Sequence, residues 1–523
     1  MTQLPKSLDE TYERILCNIP PENQDIVYRT LSFLAAGHEI DVYQLADILA
    51  IDIENRRYDR KDRPFDLYAP VEAGTCLLTY ARGSGRLYLA HYTVKEYLMS
   101  PRIGHEPAKM FQLTHDSMHA LSASCFILYM LNECYSLLPN QLLTEAVEDW
   151  PQHTRAIKSK SVRESLSILV IQLLDPREAH FQLWSQETLL LLPSHVILLW
   201  SVDSGAEVCA IFASLCTLGL FEAAQFLLET WEMPIPFHAP LYWRELIQPN
   251  PVWFYPKDSP DDARRKFLRY LKSECAGHEI LTVLQIALIY DHIWSPVSPA
   301  FSKLLVTKGA DVNLCSLTGF SPLNTLLDYN DCNRAPLPLR GQAYLDFILS
   351  KGAQTDLGQC TITPLQSAVK NAVARLAFES DDFRECFRIV NVLLENGARP
   401  NGVANDDINK DRIRHTCKLL NRKYEEYALV QPDQFRLIDL ALQDRGTSTF
   451  YDTPLRMLED KEKKLRRRDA RSSDFQELRD LLTSYGGKSL HLFPIKGLPG
   501  YVEEDMEEWN KLGNPHATTL PQS

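Results

Sequence analysis

LLVTKGADVN at 304–313, FILSKGAQTD at 347–356, VLLENGARPN at 392–401 and DLLTSYGGKS at 480–489 are four versions of one phrase. Each runs an aliphatic helix end into a glycine and then a polar turn. A glycine just past a helix is where left-handed backbone costs least. Gly309, Gly352, Gly397 and Gly486 are therefore read as helix stops. They are separated by 43, 45 and 89 residues, and the last interval has room for two further units. The matching starts are Ser321-Pro322-Leu323, Thr363-Pro364-Leu365 and Thr453-Pro454-Leu455. A hydroxyl that accepts an exposed helical N–H, followed by proline at the first helical position, opens a helix. Each unit thus reads as a proline-started helix, a connection and a second helix with a double aliphatic end. Leu305, Leu349, Leu394 and Leu482 are expected in the core.

This pattern resembles the ankyrin repeat. Proline to glycine spans 30, 33 and 32 residues in the three complete units, about ten more than that repeat leaves for its helix pair. Insertions are expected: a loop at 328–341, and longer helices through 371–386. An earlier degenerate unit occupies 209–229 with Gly219 between its helices, and another runs from near Leu284 to Gly309. Phe435–Leu442 offers one more first helix, so five or six repeats are expected over 206–489. Stacked repeats bury a continuous core and leave turn tips and the first-helix face as a long surface. Asp311, Asn313, Asp356 and Asn401 are the expected partner contacts on those tips.

Residues 1–100 mix periods. Three short helical stripes are followed by extended candidates at 75–80 and 86–90, joined by Arg82-Gly83-Ser84-Gly85 as a hairpin tip. LPKSLDETYERIL, FLAAGHEIDVYQLADILAID and RLYLAHYTVKEYLMS together resemble the winged-helix segment that follows the nucleotide-hydrolysing domain of fungal NACHT-ankyrin proteins, a class of NLR-like signal-transducing ATPases. The resemblance covers about the first fifth of the chain. It implies a winged-helix fold here and a separate NACHT ATPase as a partner, since no phosphate-binding loop stands upstream. It also makes His91 a family-derived candidate for facing nucleotide phosphates, against a plain reading as a capping histidine. Residues 101–205 read as a helical connector, with helices at 120–131, 141–147 and 162–174 punctuated by prolines 139, 151 and 176. Residues 490–523 form a C-terminal tail.

The chain has 523 residues, 45% of them hydrophobic, and a formal charge of −13, which argues against a protein built mainly to coat phosphates or anionic lipid. Twelve cysteines without a Cys-x-x-Cys pair point to reduced, mostly buried thiols and a cytoplasmic or nuclear protein. The apolar run at 189–200 is too short to span a bilayer and is broken by Pro193, so a soluble protein is expected.

The basic run 461–471, KEKKLRRRDAR, lacks interleaved aromatics and reads as a solvated loop rather than a nucleic-acid contact. The helix at 41–51, placed where a DNA-reading helix would sit, carries no lysine or arginine. Gly486-Gly487-Lys488-Ser489 only superficially matches a phosphate-binding loop, because Leu482 replaces its first glycine and a helix precedes it. His115 and His119 lie one turn apart, with Cys125 a distant third ligand, and read as helix-surface histidines; His38 reads as a helix end. No hydrolase elbow or dinucleotide fingerprint is present.

The expected protein is mostly α, a divergent ankyrin-repeat α-solenoid preceded by a winged-helix (α+β) unit and a helical connector. Its expected role is a non-catalytic scaffold binding a protein partner, with no catalytic residue, cofactor, metal or membrane. A regulatory fragment of an NLR-like ATPase assembly, a nucleic-acid-associated regulator and an enzyme with an unrecognised site are the alternatives.

Overall fold

The computed structural model describes residues 8–81, 85–133, 141–178, 180, 206–239, 241–242, 280–294, 298–316, 321–328, 341–357, 363–377, 383–401, 453–465, 472–490 and 503–511. The chain is mostly α-helical, and it divides into two compact units. The first comprises Met1–Leu198, Thr217–Glu232 and Glu245–Pro260; the second comprises Leu199–Cys216, Met233–Arg244 and Asp261–Ser523.

In the first unit, α1 (Leu8–Cys17), α2 (Pro21–Ala36) and α3 (Val42–Leu49) have physical starts and stops written in the chain. Pro20-Pro21 opens α2, and Gly37, at φ 101°, closes it. Asp41 caps α3 by accepting the Gln44 N–H at 2.8 Å, while Gln44 accepts the Asp41 N–H at 2.8 Å, a reciprocal capping box. The Arg29 guanidinium on α2 donates to the Ile48 and Leu49 carbonyls, satisfying the far end of α3. Two small antiparallel pairs follow. In one, β1 (Ile51–Asp52) meets β2 (Arg57–Tyr58); in the other, β3 (Leu78–Tyr80) meets β4 (Leu87–Leu89), with Leu78 opposite Leu89. The second pair is the expected hairpin, shortened, and residues 82–84 at its tip lie outside the described set. Helix α4 (Ala69–Gly74) precedes β3 in the chain, and α5 (Tyr92–Met99) follows β4.

Helix α6 (His115–Glu133) is the axis of this unit, and α2, α7 (Gln141–Ala156) and α8 (Lys160–Leu173) pack on it. Phe33, Phe126, Tyr129 and Trp150 are fully buried there. One expectation needs correction: Pro151 does not end a helix but lies inside α7. Proline removes one N–H from the ladder, and the buried Trp150 and His153 on either side anchor the turn that carries it. Residues 115–173 of the expected connector thus share a core with residues 8–100. Helix α10 (Phe221–Thr230) packs on α8; it follows Gly219, whose φ is 69°, and α9 (Glu207–Leu218), most of which belongs to the second unit.

The second unit is built from successive helix pairs. Among the described residues these are α11 (Val283–Trp294) with α12 (Ala300–Thr307), α13 (Pro322–Asp328) with α14 (Gly341–Ser350), α15 (Pro364–Ala377) with α16 (Phe383–Glu395), and α17 (Pro454–Leu465) with α18 (Ser472–Ser484). The first helices stack in sequence, α11 on α13, α13 on α15 and α15 on α17. A short antiparallel pair, β5 (Leu241–Tyr242) and β6 (Ile280–Leu281), precedes them.

Prolines 322, 364 and 454 each stand first in a first helix, as expected. All four glycines are left-handed, with φ of 98° at Gly309, 86° at Gly352, 87° at Gly397 and 86° at Gly486. Each is followed by a residue whose N–H reaches back to a buried carbonyl: Ala310 to Leu305, Ala353 to Ile348, Ala398 to Leu393 and Gly487 to Leu482, at 2.9–3.1 Å. This is the Schellman closure, and its carbonyl lies four residues before the glycine.

That register corrects one core assignment. Leu305, Leu394 and Leu482 are buried, but Leu349 is only partly so, and Ile348 at 0% exposure fills the position. The stretch 371–386 does lengthen both of its helices. The inserted loop at 329–340 and the helix expected at 435–442 lie outside the described residues. A last helix, α19 (Glu503–Lys511), follows in the tail.

Candidate functional site

The turn row of the second unit is held by side chains placed four residues after each glycine. Asn313 Nδ2 donates to the Gly352 carbonyl at 3.0 Å, and Asn313 Oδ1 accepts the Gln354 N–H at 2.8 Å. Asn401 repeats both bonds one step along, to the Gly486 carbonyl at 2.8 Å and from the Lys488 N–H at 2.5 Å. Asp356, which can only accept, takes the Arg399 N–H at 2.8 Å and lies 3.6 Å from the Arg399 Nε. A carboxamide offers one donor and one acceptor on adjacent atoms, so it clips a carbonyl and an N–H two residues apart on the next turn.

Three of the four residues expected to touch a partner thus have their side chains engaged on the neighbouring turn. Asp311, the fourth, is exposed and folds its own turn by accepting the Asn313 N–H at 2.8 Å. Lys308, Lys351, Gln354 and Arg399 are the exposed side chains beside these clips. Asn401 reaches the Gly486 turn directly, so the Gly397 and Gly486 turns are neighbours; residues 402–452 lie outside the described residues.

A second ladder, not anticipated from the sequence, runs through the helix starts. Gln285, Asn324 and Gln366 are each fully buried at the third helical position. Gln285 Oε1 accepts the Thr282 N–H at 2.8 Å, and Gln366 Oε1 accepts the Thr363 N–H at 2.8 Å. Gln285 Nε2 then donates to Thr325 Oγ1 at 2.7 Å, joining consecutive first helices. The signal was in the chain as hydroxyl-x-x-amide, the capping-box spacing.

The other singled-out positions are ordinary by geometry. His91 is the exposed N-cap of α5, its Nδ1 accepting the Thr93 N–H at 3.3 Å. Of the basic run, 461–465 are the end of α17 rather than loop, and 466–471 lie outside the described residues. Gly486–Ser489 forms the helix stop and the turn clipped by Asn401.

The first unit brings together residues that looked unrelated in the sequence. His38, at the end of α2, and His153 and Asp149, one turn apart on α7, place one ligand-type atom each within 4.8 Å of one another. The His38 imidazole is 4% exposed and His153 is 5% exposed, and their rings lie 4.6 Å apart. His119, on α6, approaches His153 with Nδ1 to Nδ1 at 2.7 Å. Phe33 and Phe126 flank the His38 ring, each at 5.1 Å. Burial in this setting pushes His38 down to about 4 and His153 down to about 3, so both are neutral near pH 7. Burial and the neighbouring Glu148 raise Asp149, and burial pushes Glu145, one turn earlier on α7, up to about 7.

No family model matches the chain. The Azaphilone pigments biosynthesis cluster protein L of Monascus ruber is 31% identical to it over 141 residues, covering 25% of this chain and 30% of that protein. The match thus spans less than a third of that relative's length. Among the described residues, no helix is long and apolar enough to cross a membrane.

Proposed function

We propose that this chain is a non-catalytic scaffold that binds a protein partner along stacked helix pairs of divergent ankyrin type. In this reading residues 1–100 are a winged-helix-like segment and the chain is related to the fungal NACHT-ankyrin class. The observation that carries the reading is the clip made four residues after each glycine, at Asn313, Asp356 and Asn401. A side chain used for the same bond in successive units holds their turns in register and fixes an exposed edge before any partner arrives. Preorganised edges bind with less ordering cost. Solenoids use such long surfaces for recognition. Lys308, Asp311, Lys351, Gln354 and Arg399 line this edge.

The nucleic-acid alternative gains no support from α3. Leu45, Ala46, Asp47 and Ile48 are buried in the first unit, and Tyr43 is the exposed large apolar side chain of α3, at 65%.

Proximity labelling in the source cell tests the proposal. The full chain is compared with a full chain carrying Lys308→Glu and Lys351→Glu. These exposed changes leave the clips and glycines intact. The reading expects specific neighbours to be lost from the labelled set; an unchanged set rejects the turn edge as the binding surface.

A further inference from the structure

The buried histidine cluster has the construction of a metal site. We propose that His38, through Nδ1, together with Asp149 Oδ2 and His153, forms a three-ligand site for a divalent first-row transition metal, with a fourth position open to water. It lies wholly within the first unit and does not depend on the partner-binding reading.

The geometry is close to what coordination needs. Ligand atoms about 2.0–2.1 Å from a tetrahedral zinc sit about 3.4 Å from one another. His38 Nδ1 and Asp149 Oδ2 are already 3.9 Å apart, beyond hydrogen-bond reach, and the widest spacing in the group is within 4.8 Å. Asp149 and His153 come from adjacent turns of one helix face, the spacing by which a helix presents two ligands to one ion.

Each ligand is also held from behind. His38 Nε2 is 3.0 Å from Ser122 Oγ on α6, which leaves Nδ1 directed at Asp149. His153 Nδ1 is engaged by His119, leaving Nε2 as its second nitrogen. Gln152 Nε2 donates to Asp149 Oδ1 at 2.6 Å, leaving Oδ2 toward His38. Outer partners of this kind fix ring orientation and tautomer in metal sites. The apolar wall of Phe33 and Phe126 gives a low-dielectric shell, and the Asp149 side chain, 31% exposed, provides the entry path. Two imidazoles and a carboxylate suit zinc, iron(II) or nickel, and disfavour calcium or magnesium, which take oxygen ligands.

The test uses the full chain, stripped with a chelator and titrated with Zn²⁺ by calorimetry, with metal content and thermal unfolding measured alongside. The expected result is saturable uptake of about one Zn²⁺ per chain, accompanied by a rise in unfolding temperature, since a ligand that binds only the folded state stabilises it. Asp149→Asn and His153→Gln should each weaken binding at least tenfold. Ser122→Ala, which removes only an outer bond, should weaken it about 10-fold to 100-fold. His91→Gln, on an exposed cap of the same unit, should change nothing. If His153→Gln fails to fold, the partly exposed Asp149→Asn and the small Ser122→Ala carry the test. No saturable uptake in the stripped chain, or uptake unaltered by both Asp149→Asn and Ser122→Ala, overturns the proposal.

Discussion

Asn401 and Gly486 lie 85 residues apart in the chain, yet the Asn401 Nδ2 donates to the Gly486 carbonyl at 2.8 Å. That bond, with its partner from the Lys488 N–H, makes the two turns neighbours and defines how the last described helix pair joins the stack.

Replacing Asn401 by alanine removes both bonds and leaves a carbonyl and an N–H to water. Stability of the second unit should fall by about 1–2 kcal/mol. Asn401→Asp keeps the acceptor for Lys488 and loses the donor for Gly486, so it should cost less. Asp356 shows that a carboxylate serves at the equivalent position. Urea unfolding of the three chains measures the order, and equal stability of all three would remove the clip from the account.

Gly486 and Gly487 are adjacent but resist substitution for different reasons. A Cβ at Gly486 meets nothing within 4 Å, so Gly486→Ala should cost only the left-handed strain, about 1–2 kcal/mol. Gly487 has room for no Cβ, which would stand 2.8 Å from the Leu482 carbonyl oxygen. Gly487→Ala must displace backbone and should cost at least as much, about 1–3 kcal/mol. Thermal unfolding of the two variants, with Gly486→Asn as a milder left-handed control, distinguishes the mechanisms.

Ile348 and Leu349 test the register of the glycine stop. Ile348→Ala empties a fully buried site and should cost about 2–5 kcal/mol. Leu349→Ala, at a partly exposed site, should cost well under half of that. The reverse order in denaturant titrations would place the helix one residue out of register.

Asp291 gives the second unit a pH dependence of known sign. It is fully buried on α11, accepting the Phe301 and Ser302 N–H groups at 2.8 Å and the Ser302 hydroxyl at 2.6 Å, and so caps the start of α12. Burial raises its carboxyl from 3.8 to about 6, against those hydrogen bonds. Between these two values the folded chain keeps a proton that the unfolded chain has released. Its contribution to stability therefore falls as pH rises from about 4 to about 6 and is level above that. Asp291→Asn abolishes this part of the slope. The variant also costs about 1–3 kcal/mol at neutral pH, because its amide nitrogen must face a donor. Unfolding of both chains across pH 4–8 checks it; identical slopes would contradict the assignment.

What the sequence disclosed follows from how far apart the interacting groups lie. Helix starts at Pro322, Pro364 and Pro454 and stops at the four glycines depend on neighbours within a turn, so they were readable one by one. The exchange of Leu349 for Ile348 was not, because a double aliphatic end fits either register until the Ala353 N–H selects the Ile348 carbonyl. The clips were hidden because Asn313 and Gln354 are 41 residues apart. The histidine cluster was hidden more deeply, with His38 and Ser122 separated by 84 residues and His119 and His153 by 34. His115 and His119 share a one-turn spacing, yet the pair that faces His38 is Asp149 and His153. Nothing local marks Asp149, because an acidic residue on a polar helix face is commonplace.

The central claim is that the second unit is a single register-locked stack in which the turn after Gly397 clips directly onto the turn after Gly486. Amide hydrogen exchange of the full chain, compared with Asn401→Ala, tests it most directly. The account predicts that the Lys488 N–H is protected in the natural sequence and exchanges markedly faster in the variant, while the Gln354 N–H, held by Asn313, is unchanged. Equal exchange at Lys488 in the two chains, or an equal rise at Gln354, would contradict it.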